Sequence, residues 1–258
     1  MDQFLVTVPP QQLQQLRGTG VTAAHLAYRV GRGPRLLRAS LPGPLRGGLM
    51  VVELGNYDAP GHPMSFCQEV LMECMAHSYT GVFLDFDSRL PYLERLANTL
   101  DGVLHARGLR LLVPESYGPC SPHAQVVISS ALSGGTLTGR LREVRERFGR
   151  DRVVLALEKS AEDFALPSPS GCGTPLSQEE LDGMLDKMRP CVFFSTPLCA
   201  RYFTYMSRDS GAHFVLFDDG DTMHRKIQVA QQAGIHVFLL PWTQLRECVP
   251  IDGCAAAR

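Results

Sequence analysis

The stretch Gly81-Val-Phe-Leu-Asp-Phe-Asp87 decides the fold of this chain. Its apolar residues are typical of a β-strand, and the side chains of a strand alternate between two faces. The even-numbered apolar side chains share one face, and Phe83, Asp85 and Asp87 share the other. The apolar face is expected to lie against a layer of helices. The two carboxylates then point into the mouth of a barrel.

Seven further apolar runs of strand length alternate with stretches of helical period, which is typical of successive βα units. The eight predicted strands are Phe4–Val8, Ala24–Val30, Leu49–Leu54, Val82–Asp87, Leu109–Glu115, Gln125–Ala131, Arg152–Glu158 and His236–Trp242. The predicted helices include Gln11–Arg17, Ser65–His77, Pro91–Arg107, Gly139–Phe148 and Thr222–Ala233. With 258 residues, of which 45 % are hydrophobic, the sequence predicts an α/β fold. We expect one domain, a single (β/α)8 TIM barrel over residues 1–258.

Residues 165–221 interrupt this alternation and predict a small insertion before the last helix and strand. A loop rich in Pro, Gly and Ser leads to Ser177, which starts a helix with a capping box. Two aromatic runs then flank Gly211, which predicts a hairpin over 197–221. We expect Tyr202, Phe203 and Tyr205 of this hairpin to contribute to a groove wall, with simple hairpin packing as the alternative.

The charge of the chain argues against nucleic acid as a partner. The net charge is −1 and the pI is near 6.7, whereas nucleic-acid-binding proteins carry a basic surplus. Six Arg lie within residues 1–50 and indicate either a solvated surface or contact with an anionic polymer or membrane. No apolar run reaches the ~18 residues that span a bilayer. The N-terminus lacks the pattern of a signal peptide, so we expect a cytoplasmic protein.

The cysteine and histidine patterns predict neither a metal site nor a cofactor. The eight Cys form no CxxC pair, and we expect them to be reduced and mostly packed as small apolar residues. Cys248 and Cys254 are predicted to be exposed and reactive. The eight His are scattered, and the chain has no phosphate-binding glycine loop.

Acidic residues end several of the predicted strands, and in a barrel of this kind the site lies at those ends. The candidates are Glu53, Asp85, Asp87, Glu115 and Glu158. Asp85 and Asp87 lie on one face two residues apart, which suits general acid catalysis by one carboxyl group beside another. The alternative is that both aspartates cap the turn or helix that follows.

The stretch TGVFLDFD (80–87) resembles the family-18 glycoside hydrolase signature D-G-x-D-x-D-x-E. Gly81 and Asp85 match, Thr80 and Phe83 replace two aspartates, and Asp87 stands where the family has its proton-donating Glu. The C-terminal third resembles the same family, especially its spore-cortex-lytic N-acetylglucosaminidases. The matching residues are Tyr202–Tyr205, Phe217, Asp218, Asp219, Thr222, Lys226, Ala230 and Trp242.

The resemblance implies a site that acts on or binds a glycan containing N-acetylglucosamine, such as peptidoglycan or a chitin-like polymer. It implies that Asp87 donates the proton, that Asp85 orients the sugar's acetamido group, and that Trp242 forms the floor of the sugar subsite. We expect Glu53, Glu115, Glu158, Tyr202 and Tyr205 to contribute to substrate binding. The spore enzymes also suggest spore association as the alternative to a cytoplasmic location.

Three departures from the family pattern predict weak hydrolysis. Asp87 is one methylene shorter than Glu, Leu132 and Ser133 replace the Tyr and Asp after strand six, and Ser160 replaces an aromatic residue. The alternative is a catalytically inactive protein of the same fold that binds glycan or a protein partner. A third class is an unrelated barrel enzyme that uses Glu53, Glu115 and Glu158. Glu115 or Glu158 is also a candidate replacement for the missing acid.

Overall fold

A computed structural model describes residues 2–40, 45–56, 61–168 and 171–249. The strands are β1 (Gln3–Val8), β2 (Thr22–Gly31), β3 (Arg35–Arg38), β4 (Leu49–Leu54), β5 (Gly81–Asp85), β6 (Arg110–Pro114), β7 (Gln125–Ser129), β8 (Val153–Ala156), β9 (Ala161–Ala165), β10 (Thr174–Pro175), β11 (Phe193–Ser195), β12 (Ala200–Ser207), β13 (Gly211–Phe217) and β14 (Val237–Pro241). The α-helices are α1 (Pro63–His77), α2 (Pro91–His105), α3 (Leu137–Phe148), α4 (Gln178–Met188), α5 (Gly220–Gln232) and α6 (Leu245–Cys248). Short 3-10 segments cover Pro10–Leu16, Glu115–Cys120, Arg150–Arg152 and Trp242–Gln244.

The contacts divide the chain into two compact units. The first unit comprises Met1–Ile128, Phe148–Ala156 and His236–Arg258, and the second comprises Ser129–Arg147 and Leu157–Ile235. The prediction of one domain over 1–258 stays a prediction.

The first unit contains a closed barrel. Its eight parallel strands follow the order β1, β2, β4, β5, β6, β7, β8 and β14, and β14 pairs again with β1. The additional strand β3 pairs antiparallel with β2. These eight strands correspond to the eight that the sequence predicts, so the (β/α)8 barrel is confirmed. Strand β3 was not predicted, because its sequence RLLR is short and half charged.

The alternation predicted for residues 81–87 is confirmed for residues 82–86. Phe83 lies in the barrel interior with apolar side chains from six other strands: Leu5, Ala24, Leu49, Val51, Leu112, Val154 and Leu239. Val82, Leu84 and Phe86 lie instead in a cluster with apolar side chains of α1 and α2. Gly81 begins β5, where a Cβ atom would come within 2.4 Å of the Arg110 carbonyl oxygen. The close approach of β5 to β6 therefore requires glycine at this position.

The arginines near the N-terminus largely pair with glutamates. Arg29, Arg35 and Arg38 form ion pairs with Glu53, Glu69 and Glu73, respectively. These pairs neutralise much of the local basic charge, which favours the solvated-surface interpretation. Among the described residues, no helix combines the length and the hydropathy that a membrane span requires.

The second unit contains a five-stranded antiparallel sheet with the order β10-β9-β13-β12-β11. Helix α4 covers one face, where Leu181 packs with Phe203, Val215 and Phe217. The hairpin of β12 and β13 is confirmed, with Gly211 at φ 83°. The predicted start of the insertion at residue 165 is wrong, because β9 begins at Ala161 and already pairs with β13. The charges of AEDFA masked its strand pattern.

Two predictions about single residues are wrong. Phe203 is fully buried beneath α4 and cannot contribute to a groove wall. Cys248 is 1 % exposed, because α6 packs its side chain inward, so it is not a reactive surface thiol. Cys254 lies outside the described residues. Two other buried thiols, Cys67 and Cys74, have their pKa raised to about 12 by burial.

The capping box at Ser177 is confirmed and provides a test of local stability. The Ser177 Oγ accepts a hydrogen bond from the Glu180 N–H, and the Glu180 carboxylate accepts one from the Ser177 N–H at 2.8 Å. Ser177→Ala is expected to lower the free energy of unfolding by about 1 kcal/mol, because an N-terminal N–H loses its acceptor. Chemical denaturation measures the change. Ser177→Asn, which keeps a capping oxygen, is the control, and equal losses in both variants would contradict this account.

Candidate active site

Three charged side chains form a row where β2, β4 and β5 end. Arg29 is in register with Glu53, and Glu53 is in register with Asp85. Adjacent strands lie ~4.8 Å apart, so the two carboxyl groups are neighbours on the side of the sheet that faces the barrel interior. Arg29 Nε lies 3.3 Å from Glu53 Oε2, and both side chains are partly exposed. The row therefore offers one carboxylate held by a cation and one, Asp85, that is exposed to solvent.

Asp87 lies two residues beyond the end of β5, in a turn that a hydrogen bond from Tyr117 anchors. Its side chain is exposed, and Ser88 Oγ donates to Asp87 Oδ1 at 3.2 Å. The buried Tyr117 hydroxyl donates to the Ser88 carbonyl oxygen, and the Tyr117 ring packs edge-on against Phe86. Burial raises the pKa of Tyr117 to about 12, so its hydroxyl remains a donor at neutral pH. This anchor fixes the backbone on both sides of Asp87.

The sequence did not single out Tyr117, which anchors the turn that contains Asp87. It lies three residues after the end of β6, within the 3-10 segment Glu115–Cys120, and is 0 % exposed. A buried tyrosine normally has a hydrogen-bond partner for its hydroxyl, and this rule is the one by which the sequence could have indicated Tyr117. Glu115, the first residue of the same segment, is half-buried.

Trp242 follows the last barrel strand as the first residue of a 3-10 turn. Its half-buried side chain lines a groove of about 260 Å³ together with Gln15, Leu245 and Arg246. The alternation of β14 ends at Pro241, so the direction of the indole is set by the turn and not by the strand. A stacking role for Trp242 stays a prediction.

The aromatic side chains of the β12–β13 hairpin point to opposite faces of their sheet. Tyr202 stacks between Phe193 and Phe214, with ring centroids 5.5 and 5.2 Å away. Tyr205 lies on the face that α4 covers, and its hydroxyl donates to Asp163 Oδ2 at 2.7 Å. The donor hydrogen of its hydroxyl is therefore already used within the second unit. Substrate binding by Tyr202 and Tyr205 stays a prediction.

The remaining candidates of the second unit have partners of their own. Glu158 is exposed, and its Oε2 lies 3.5 Å from the Ser129 Oγ that donates to it. Ser160 donates from its N–H and its Oγ to Asp218 Oδ2, at 3.2 and 3.1 Å. Where the resemblance implies an aromatic side chain, the chain therefore has a serine that binds a buried carboxylate.

Comparison with known proteins identifies the fold. No protein-family model matches the sequence, and no curated protein sequence matches it. The solved structure of the Bacillus cereus spore cortex-lytic enzyme SleL has a TM-score of 0.66 and 14 % identity, covering 98 % of this chain and 76 % of that chain. A chitinase from Chromobacterium violaceum has a TM-score of 0.65 and 14 % identity, covering 93 % of each chain. The chain has the chitinase-like barrel fold.

A class V chitinase from Nicotiana tobaccum is similar to a comparable extent, with a TM-score of 0.63 and 10 % identity over 93 % of each chain. At these identities the likeness is one of fold. The resemblance of the chain to chitinases and spore cortex-lytic enzymes is confirmed at that level. In this chitinase-like barrel, residues 81–87 form β5 and the turn after it, and Trp242 directly follows the last strand.

The acidic step that resembles the family turns out to form a buried ion pair. Lys226 Nζ lies 2.7 Å from Asp218, and the two side chains are 1 % and 0 % exposed. Thr222 Oγ1 donates to Asp218 Oδ1 at 2.9 Å, and Ser160 supplies two further hydrogen bonds to Oδ2. Every oxygen of the carboxylate is thus bonded. This part of the motif therefore links the segment before β9 and the end of β13 to helix α5 within the second unit.

No three His, Cys, Asp or Glu side chains within 2–40, 45–56, 61–168 and 171–249 are grouped so that they could hold a metal ion.

Proposed function

We propose that the mouth of this chitinase-like barrel binds a glycan containing N-acetylglucosamine, peptidoglycan or chitin-like, and hydrolyses it weakly. The observation that carries the proposal is the placement of two exposed carboxylates, Asp85 and Asp87, where β5 ends. In this proposal Asp87 protonates the glycosidic oxygen. Asp85 orients the acetamido group, whose oxygen attacks the anomeric carbon, and Glu53 with Arg29 forms the adjoining wall.

The kind of glycan is supported by the similar structures. They include chitinases, spore cortex-lytic enzymes and a putative sporulation-specific glycosylase from Bacillus subtilis. Association with spores is the corresponding proposal for location, and the similarity to spore cortex-lytic enzymes supports it.

Weak turnover follows from the reach of the acid and from missing partners. Asp is one methylene shorter than Glu, and a displacement of about 1 Å can cost about 10²-fold in rate. Leu132 has no hydroxyl with which to hold an acetamido oxygen. If these losses are complete, the chain is an inactive protein that binds intact glycan or a protein partner, which is the second candidate function.

The single tryptophan makes the binding proposal directly measurable. Trp242 is the only Trp in the chain, so it is the only source of indole fluorescence. Titration with N-acetylglucosamine oligomers is expected to shift this fluorescence, because a sugar face that stacks on the indole displaces water from it. Asp85→Ala should weaken binding at least tenfold, through loss of the acetamido contact.

Glucose oligomers, which lack the acetamido group, are the control and should bind much less tightly. Calorimetry run in parallel distinguishes failure of the Trp242 stacking role from failure of the proposed glycan binding. Binding without a fluorescence change would exclude the stacking role of Trp242 alone. No heat and no fluorescence change at millimolar oligomer would overturn the proposed function.

A further inference from the structure

A serine, a histidine and an aspartate of the second unit form a connected row that the barrel mouth does not use. Ser210 Oγ lies 2.7 Å from His213 Nε2, and His213 Nδ1 lies 2.9 Å from Asp163 Oδ1. Ser210 belongs to the turn of the β12–β13 hairpin, His213 to β13, and Asp163 to β9. The pairing of β13 with β9 brings together residues that are 50 positions apart.

The hydrogen bonds fix which histidine nitrogen carries the proton. An ionised carboxylate only accepts hydrogen bonds, so His213 Nδ1 must donate to Asp163. In the neutral imidazole, Nε2 then has the lone pair and accepts the hydrogen of the Ser210 hydroxyl. A nucleophile bonded to a base, and a base bonded to an orienting carboxylate, are the arrangement by which serine hydroxyls are activated.

The surroundings hold the base and leave the nucleophile accessible. The Tyr205 ring stacks on the His213 ring at 4.7 Å, and the Tyr205 hydroxyl donates to the second oxygen of Asp163. The side chains of His213 and Asp163 are 11 % and 15 % exposed, whereas Ser210 is exposed. The pKa of Tyr205 is raised to about 12, mainly by desolvation and to a smaller extent by the hydrogen bond to Asp163, so its hydroxyl stays protonated.

We propose that Ser210 is an activated nucleophile that accepts acyl groups from small esters at the surface of the second unit. Ser210 Oγ attacks the ester carbonyl carbon while His213 Nε2 takes the hydroxyl proton. The bond from the acyl carbon to the alcohol oxygen breaks, and the leaving alcohol takes the proton from His213. Water then attacks the acyl-serine and gives a proton to His213 Nε2. The bond from the acyl carbon to Ser210 Oγ breaks, Oγ takes this proton from His213, and the carboxylic acid is released.

The backbone of the turn sets the expected rate. The N–H groups of Asp209 and Ser210 already donate to Ser207 Oγ, at 3.3 and 3.4 Å. They are therefore not free to stabilise the developing oxyanion without breaking these long hydrogen bonds. Loss of one such donor typically costs about 10²–10³-fold in rate. Slow acylation of Ser210 is expected, rather than the turnover of an evolved esterase.

The test uses p-nitrophenyl acetate with the full chain, and peptide mass spectrometry to locate the acetyl group. Acetylation of Ser210 is expected to be at least 10²-fold faster than that of Ser116, an exposed serine of the first unit. His213→Gln should slow it about 10²-fold or more by removing the base. Asp163→Asn should slow it less than His213→Gln does.

Ser210→Ala removes an exposed side chain and is expected to abolish labelling of that peptide without unfolding the protein. Ser116→Ala, the matched control, should leave the labelling of residue 210 unchanged. Acetylation of Ser210 no faster than that of Ser116, or equally fast in His213→Gln, would show that the row only stabilises the hairpin. Glycan binding at the barrel mouth is a separate measurement, so either proposal can fail alone.

Discussion

Asp218→Ala is expected to lower the free energy of unfolding by about 3–5 kcal/mol. The substitution leaves the Lys226 ammonium, which is 1 % exposed, without the carboxylate that is its partner among the described residues. It also removes the acceptor for Thr222 and Ser160. Urea denaturation followed by circular dichroism measures the loss. A change below about 1 kcal/mol would mean that water reaches this pair in solution.

Lys226→Met provides the graded comparison and is expected to cost less than Asp218→Ala. The carboxylate then keeps three donors, from the Ser160 N–H, Ser160 Oγ and Thr222 Oγ1. In the double variant Asp218→Asn with Lys226→Met, the amide oxygen still accepts hydrogen bonds and no charge is buried. It is expected to recover most of the stability, because the cost comes from an unpaired charge and not from lost volume.

Asp87→Glu is expected to raise hydrolysis of N-acetylglucosamine oligomers by about 10²-fold or more. The longer acid regains the reach of a family-18 proton donor, and an acid in place is worth about 10²–10⁴-fold. Release of reducing ends measures the rate.

Asp87→Asn is the matched control, since it keeps the size of the side chain and removes the acidic proton. It should abolish whatever activity the unmodified chain has and leave oligomer binding nearly unchanged. Robust turnover by the unmodified protein, lost in Asp87→Asn, would show that the short acid suffices and that the expectation of weak hydrolysis is wrong. Oligomer binding without turnover in Asp87→Glu would favour the second candidate function, an inactive protein that binds intact glycan.

The sequence by itself determined the barrel. Strand and helix patterns are local, since side-chain alternation and helical period depend on neighbours within a few positions. For this reason the eight parallel strands, the inward direction of Phe83 and the cap at Ser177 were predictable. The short strands β3 and β9 were not, because their charged residues hide the alternation and their pairing partners supply the missing stability.

Only the tertiary structure decided which side chains meet. Arg29 pairs with Glu53 across 24 residues, and His213 with Asp163 across 50, through the register of neighbouring strands. A register is fixed by the packing of whole sheets, and a shift by one residue would reverse every side chain. The sequence therefore located the carboxylates at the strand ends. Folding set the partners of Glu53 and of Asp218, and brought Ser210 to a histidine that a distant aspartate orients.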